Sequence, residues 1–184
     1  MPMSFPTTKL TYHDYLLLPE DRKRYEILDG DLFMTPAPLT RHQLIAIRLS
    51  HILMAYFETH PLGTVLAAPC DVLLSESDVV QPDLLVVLEN GQAHIMEKNI
   101  QGPPDMIIEI LSPSTAARDR ELKRKRYEYF GVREYWLVDP ENNSLEILKM
   151  NNARFVLHSL STAPSSCSSS IIPHLTLDLA WLFH

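Results

Sequence analysis

Apolar residues recur along this chain in two periods. Between His42 and Thr59 they fall at positions 45, 49, 52, 53 and 56, the spacing of one helical face. Elsewhere they come in short runs bounded by turn formers. "QPDLLVVLENG" opens at Pro82-Asp83 and ends at Asn90-Gly91, and "PDMIIEIL" is bracketed by Pro104 and Pro113. Both predict buried strands. "TYHDYLLL" predicts a short helix, with Asp14 three residues after Thr11 as in a capping box. "RYEILDGDLFM" alternates around Asp29-Gly30, a hairpin signal. "GTVLAAPCDVLLSES" reads as strand, with Pro69 marking a bend or an edge.

Beyond the second buried strand, "SPST" supplies turn and cap residues for a helix over about Ala116–Phe130, stopped by Gly131. "EYWLVD", "LEILKM" and "RFVLHSL" predict three more strands. "STAPSSCSSS" is low in complexity and predicts an exposed loop, while "IIPHLTLDLAWLF" predicts an apolar tail docked on the domain. The middle of the chain thus runs helix, strand, strand, strand, helix, strand. That order predicts an α/β fold: a mixed central sheet flanked by helices, with an N-terminal hairpin and added C-terminal strands. No linker divides the chain, so residues 1–184 are expected to form one domain with its core at about 40–140.

Composition narrows the compartment. The chain of 184 residues is 46% hydrophobic and 21% charged, ordinary for a globular protein. Its longest apolar stretch, Leu44–Phe57, is interrupted by Arg48, Ser50 and His51 and is too short to span a bilayer. No basic cluster leading into an apolar run opens the sequence, and two cysteines, Cys70 and Cys167, make no disulfide framework. A cytoplasmic, reduced protein is expected. The net charge of −7 argues against indiscriminate coating of nucleic acid. Within it, "RDRELKRKR" (118–126) carries a local +4 on a body of −11, a feature that bulk charge conceals.

Glu109 stands inside the second buried strand, between Met106-Ile107-Ile108 and Ile110-Leu111. A carboxylate there costs several kcal/mol, on the order of a whole stability margin, unless it is paired, protonated or bound to a metal. Alternation puts Asp105, Ile107, Glu109 and Leu111 on one strand face. Asp83 opens the preceding buried strand. If the two strands are neighbours, Asp83 and Glu109 converge at one sheet edge, where a hard cation such as Mg²⁺ or Mn²⁺ would relieve their repulsion.

An acid after Pro82 and a second acid inside the next strand resemble the PD-(D/E)xK nuclease superfamily, although Leu111 stands where its lysine falls. The ordered segments "RYEILDGDL", "RHQLIAIRL", "VVQPDLLVV", "PDMIIEILSPST", "RDRELKRKRYEYFGVREYWLVD" and "HLTLDLAWLF" more closely resemble the bacterial putative restriction-endonuclease domain family, a branch of that superfamily. They span about Tyr25 to Phe183. In that family the lysine is displaced onto the following helix, in a pattern matched here by Asp119, Lys123 and Tyr127. The resemblance implies an α-β-β-β-α-β core and phosphodiester hydrolysis in DNA. It implies Asp83 and Glu109 as ligands of Mg²⁺ (or Mn²⁺), with Lys123 beside them. Glu26 in "YEILDG" and His42 in "RHQL" match further recurrent features, as an additional metal ligand and a phosphate or water contact. Arg118, Arg120, Arg124, Lys125 and Arg126 would then grip flanking phosphates, and a homodimer would suit cleavage of both strands.

Plainer readings compete with this one. Asp83 after a proline is often only a strand-start acid. Glu109 could be held by a structural salt bridge to Lys123 or an arginine. The basic run could be a solvated helix face. A domain that keeps the fold without catalysis, as a nucleic-acid-binding or interaction module, is the alternative to a nuclease.

Overall fold

The computed structural model describes residues 9–19, 21 and 23–184. Residues 1–8, read above for a signal pattern, lie outside the described residues. The elements run α1 (Tyr12–Tyr15), the hairpin β1 (Arg24–Leu28) and β2 (Asp31–Thr35), and the long helix α2 (Thr40–Thr59). Then come β3 (Gly63–Ala67), β4 (Val72–Ser75), β5 (Asp78–Val80), β6 (Leu84–Leu88), β7 (His94–Ile95), β8 (Ile100–Gln101) and β9 (Met106–Ile110). A helical segment follows as α3 (Ala116–Arg118), a π turn (Asp119–Lys123) and α4 (Arg124–Phe130). The chain ends with β10 (Glu134–Asp139), β11 (Ser144–Asn151), β12 (Arg154–Thr162), β13 (Ser166–Ser168), β14 (Thr176–Asp178) and α5 (Leu179–Phe183).

Local signals explain several of these elements. Thr11 and Asp14 close a reciprocal capping box on α1. Asp29 and Gly30 both take positive φ, as the tight β1–β2 turn requires. Gly131 ends α4 in the left-handed region, with its amide on Tyr127 and Glu128 carbonyls.

The class is mixed α/β as expected, but the single central sheet is corrected to two six-stranded mixed sheets. One has the order β12-β11-β10-β9-β6-β3, the other β2-β1-β5-β4-β8-β7. In the first, β9 pairs antiparallel with β6 and parallel with β10. Its alternating faces explain the layering. Leu84, Val86, Met106, Ile108, Ile110, Trp136 and Val138 pack against Ile45, Leu49 and Leu53 of α2 and against α5. The opposite face, with Leu85, Val87, Ile107, Tyr135 and Leu137, packs against Leu28, Val72 and Val80 of the second sheet and Tyr127 of α4. One face is therefore covered by helices and the other largely by a second sheet.

Two further expectations change. "GTVLAAPCDVLLSES" is not a single strand. The chain turns at Pro69-Cys70, so β3 belongs to the first sheet and β4 to the second. The serine-rich stretch is not merely a loop either. β13 pairs with β14, and buried Glu134 accepts from Trp136 Nε1 (2.7 Å), Ser169 Oγ (2.8 Å) and the Ser170 amide (2.6 Å). Serine hydroxyls and a backbone amide there satisfy a fully buried carboxylate. The C-terminal tail docks as expected, with Leu177, Leu179 and Leu182 buried. No helix among the described residues is long and apolar enough to cross a membrane.

Candidate active site

Strand register brings the two acids together. Leu84 pairs with Ile108 in the antiparallel β6–β9 ladder, which sets Asp83 across from Glu109 at its end. Asp83 Oδ2 accepts the Ile110 amide at 2.9 Å. The face of β9 that carries Ile107 and Glu109 looks toward the second sheet, so Glu109 lies where the two sheets open. Only 4% of it is exposed, and 8% of Asp83.

The helical segment after β9 then supplies the cation. Lys123 Nζ lies 3.0 Å from Glu109 Oε1, 2.8 Å from Glu26 Oε1 and 3.6 Å from Asp119 Oδ1. Tyr127 donates its hydroxyl to the same Glu109 Oε1 at 2.8 Å. The expected face of Asp119, Lys123 and Tyr127 is present, but it is not built on a regular α-helix. Across Asp119–Lys123 the backbone makes a π turn, closed by the Arg124 amide on Asp119 O. Tyr135 OH donates to that same carbonyl at 3.1 Å. A side chain inserted into the helical ladder is a recognised cause of such a distortion, and π turns are frequent at functional sites.

Burial and neighbouring charge set the protonation of the group. Burial pushes Glu109 well above the ordinary carboxylate range, and nearby Asp119, Asp83 and Glu26 add to this while Lys123 opposes it. Asp119 moves up for the same first reason. Lys123 loses hydration, yet Glu109, Glu26 and Asp119 more than compensate and hold its ammonium protonated above the usual amine range. Asp83 behaves differently. Burial pushes it up, but the hydrogen bond and charge of His42 and the Ile110 amide outweigh this and lower it. His42 Nε2 stands 3.0 Å from Asp83 Oδ2 and Arg24 Nη1 3.2 Å from Oδ1.

All five catalytic candidates therefore border one cavity of about 280 Å³: Glu26 from β1, His42 from α2, Asp83 before β6, Glu109 from β9 and Lys123 from the π turn. Sequence spacing alone could not bring Glu26 and His42 there, because 57 or more residues and a change of sheet separate Glu26 from its acidic neighbours. Arg24 was missed. The period of a strand offered the signal, since Arg24 shares a strand face with Glu26 two residues on.

The basic run does not form one surface. Arg118 turns inward, to Thr35 Oγ1 at 2.9 Å and Glu26 Oε2 at 3.7 Å, and borders the cavity. Arg120 pairs with Glu146 (2.8 Å) and Asp139 (3.3 Å). Arg126 forks onto buried Asp78 at 2.7 and 2.6 Å. Among the described residues no ion pair holds Arg124 or Lys125.

Whether a hard cation suits this donor set can be judged from the oxygens. Among the described residues no three His, Cys, Asp or Glu side chains form a ready metal cage. The chemistry of the set nevertheless fits Mg²⁺ or Mn²⁺. Glu26 Oε2 and Asp119 Oδ1 are buried without a hydrogen-bond partner, and both hydrogen bonds of Glu109 fall on Oε1. A carboxylate has about four lone-pair sites, so oxygens remain for a cation that keeps several waters.

Fold and cluster together define a mixed α/β domain with an acid–lysine site where two sheets open. The same fold occurs in a crystal structure from Anabaena variabilis titled a "putative nuclease belonging to DUF820". It matches with a TM-score of 0.77, covering 95% of this chain and 97% of that one at 19% identity. Residues 12–180 match the Uma2 family, described as "Putative restriction endonuclease", and the chain belongs to that family. An uncharacterized protein from Synechocystis sp. is 24% identical over 161 residues, 81% of this chain and 78% of the relative.

Proposed function

We propose that the protein hydrolyses phosphodiester bonds in DNA with a divalent cation, Mg²⁺ or Mn²⁺, at the cavity bordered by Asp83 and Glu109. The observation that carries this reading is the convergence of Asp83, Glu109, Lys123, Glu26 and His42 on one cavity from five separate segments. Asp83 and Glu109 would hold the cation, with Glu26 Oε2 as a further oxygen. Bound there, it would supply Lewis-acid charge to the phosphoryl oxygens and acidify water. Lys123 offers a fixed ammonium for charge that develops on the phosphate. Tyr127 and Glu26 hold that ammonium and Glu109 in register, since both bond within the same cluster. His42 would donate its Nε2–H to Asp83 and so orient that carboxylate toward the cation. Arg24 and Arg118 add positive charge at the cavity wall.

One observation favours a second reading. Lys123 already gives Glu109 and Glu26 a shared cationic partner within the chain, as would suit a domain idle in catalysis and retained for binding or interaction. Cleavage of DNA substrates with and without Mn²⁺ decides between the two. Wild type is expected to cut only with the ion, while Asp83→Ala, Glu109→Ala and Lys123→Ala each lose at least about a hundredfold in rate, the scale of a removed charge-stabilising group. Undiminished cleavage by all three variants removes this site from the reaction. No cleavage by wild type, with nucleic-acid binding intact, favours the idle module.

A further inference from the structure

We propose that the cavity takes a single-stranded or extrahelical phosphodiester rather than the backbone of an intact duplex. The inference rests on the phosphodiester reading of the same site and names its substrate class. Three independent features of the molecule lead to it.

The first is depth. Glu26, Asp83, Glu109 and Lys123 are between 2% and 8% exposed, so the chemistry lies below the surface. Exposed Pro36, Ala37 and Leu39 line the cavity from the segment before α2, and exposed Pro113 and Ser114 line it from the segment after β9. Proline fixes φ, which stiffens both segments. A volume of about 280 Å³ accommodates a phosphodiester with roughly one sugar. The phosphates of a rigid duplex are fixed along ridges beside grooves roughly 6 and 12 Å wide, so one phosphate cannot sink into a narrow cavity by itself. A single strand can lower one phosphate into it.

The second is charge. Proteins that hold a duplex commonly neutralise roughly 6–10 phosphates. Here Arg118 faces the cavity, and Arg120 and Arg126 are neutralised by Glu146, Asp139 and Asp78. Lys123 lies in the site itself, so Arg124 and Lys125 are what remains of the run, on a chain of net −7. That supply suits two or three phosphates.

The third is a neighbouring recess. A second hollow of about 100 Å³ adjoins the first and shares Leu39, His42, Ser112 and Pro113 with it. Leu111 and Pro140 complete its apolar wall, and Arg41 and Glu141 also line it. An unpaired base next to the reacting phosphate can lie against such a wall. In a duplex that base is stacked and paired.

Binding tests this without requiring turnover. Fluorescence anisotropy of the full chain in chelator compares a short single-stranded DNA, the RNA of the same sequence, and the matching blunt DNA duplex. Either single strand, DNA or RNA, is expected to bind roughly tenfold more tightly than the duplex. Its salt dependence should correspond to about two or three phosphates. Ser114→Glu places a charge at an exposed lining position and should weaken single-strand binding without altering the thermal midpoint. Duplex binding as tight as single-strand binding, absent single-strand binding, or indifference to Ser114→Glu overturns the proposal. A single strand bound but never cut with Mn²⁺ instead overturns the nuclease reading and leaves this binding preference standing.

Discussion

At the scale of residues, two acids an ångström-scale step apart carry opposite shifts. Glu109 is surrounded by other acids and shares one ammonium, so burial prevails and its proton is held more tightly. Asp83 is buried nearly as well, but His42, Arg24 and the Ile110 amide serve it alone. Its carboxyl is lowered, so its contribution to stability is complete above the ordinary carboxylate range and is lost as pH falls through the lowered value. Asp83→Asn should therefore be less stable than wild type at pH 7, with the gap closing on acidification. Urea midpoints measured from neutral pH down to about pH 3 check this. Equal pH dependence in both proteins would remove Asp83 from the acid-sensitive set. Lys123, shared by Glu109, Glu26 and Asp119, and the raised proton affinity of Glu109 together explain how an acid inside a strand is tolerated.

At the scale of elements, the π turn is the feature on which the site depends. Tyr135 OH, fully buried on β10, donates to the Asp119 carbonyl that also accepts the Arg124 amide closing the turn. The π turn satisfies that hydroxyl while it keeps Asp119 and Lys123 buried toward Glu109 and Glu26. Tyr135→Phe removes one hydrogen bond and little volume. It should cost about 1 kcal/mol in stability, yet lower cleavage about tenfold by loosening Lys123, with the loss in kcat rather than KM. Wild-type cleavage in this variant would show that the turn holds its shape without the phenol. "RELKRKR" contains a sound helical spacing and no sign of the extra residue, because the acceptor sits on one element and the donor on another.

At the scale of the whole molecule, the serine-rich segment acts as a clasp. Glu134 lies at the start of β10 with no exposure and takes donors from Trp136 on its own strand and from Ser169 and Ser170. It thereby ties the C-terminal strand pair and α5 to the first sheet. Glu134→Ala strands several buried donors, each worth about 1–3 kcal/mol. A loss on the order of 3 kcal/mol and early proteolytic nicking within residues 165–174 are the expected outcomes, read by urea denaturation and limited proteolysis. A variant as protease-resistant as wild type would assign the docking to α5 packing alone.

Much of this was legible in the chain itself. Short-range patterns determined the capping box at Thr11, the Asp29-Gly30 hairpin, a helix over about His42–Thr59 and the buried strands around Leu84–Leu88 and Met106–Ile110. The reason is that each of these depends on neighbours within a turn or two of backbone. The same local order, with Asp83 before one strand and Glu109 within the next, singled out the acids, and the family resemblance, through its pattern of Asp119, Lys123 and Tyr127, pointed to Lys123. Tertiary structure alone decided the rest. Which sheet β3 and β4 would join, how Glu26 and His42 reach the cavity, why Arg120 and Arg126 face carboxylates, and where the serines find Glu134 are all questions of long-range pairing. Burial of a charge is affordable only where distant partners meet it, and composition or periodicity records the charge without its partner.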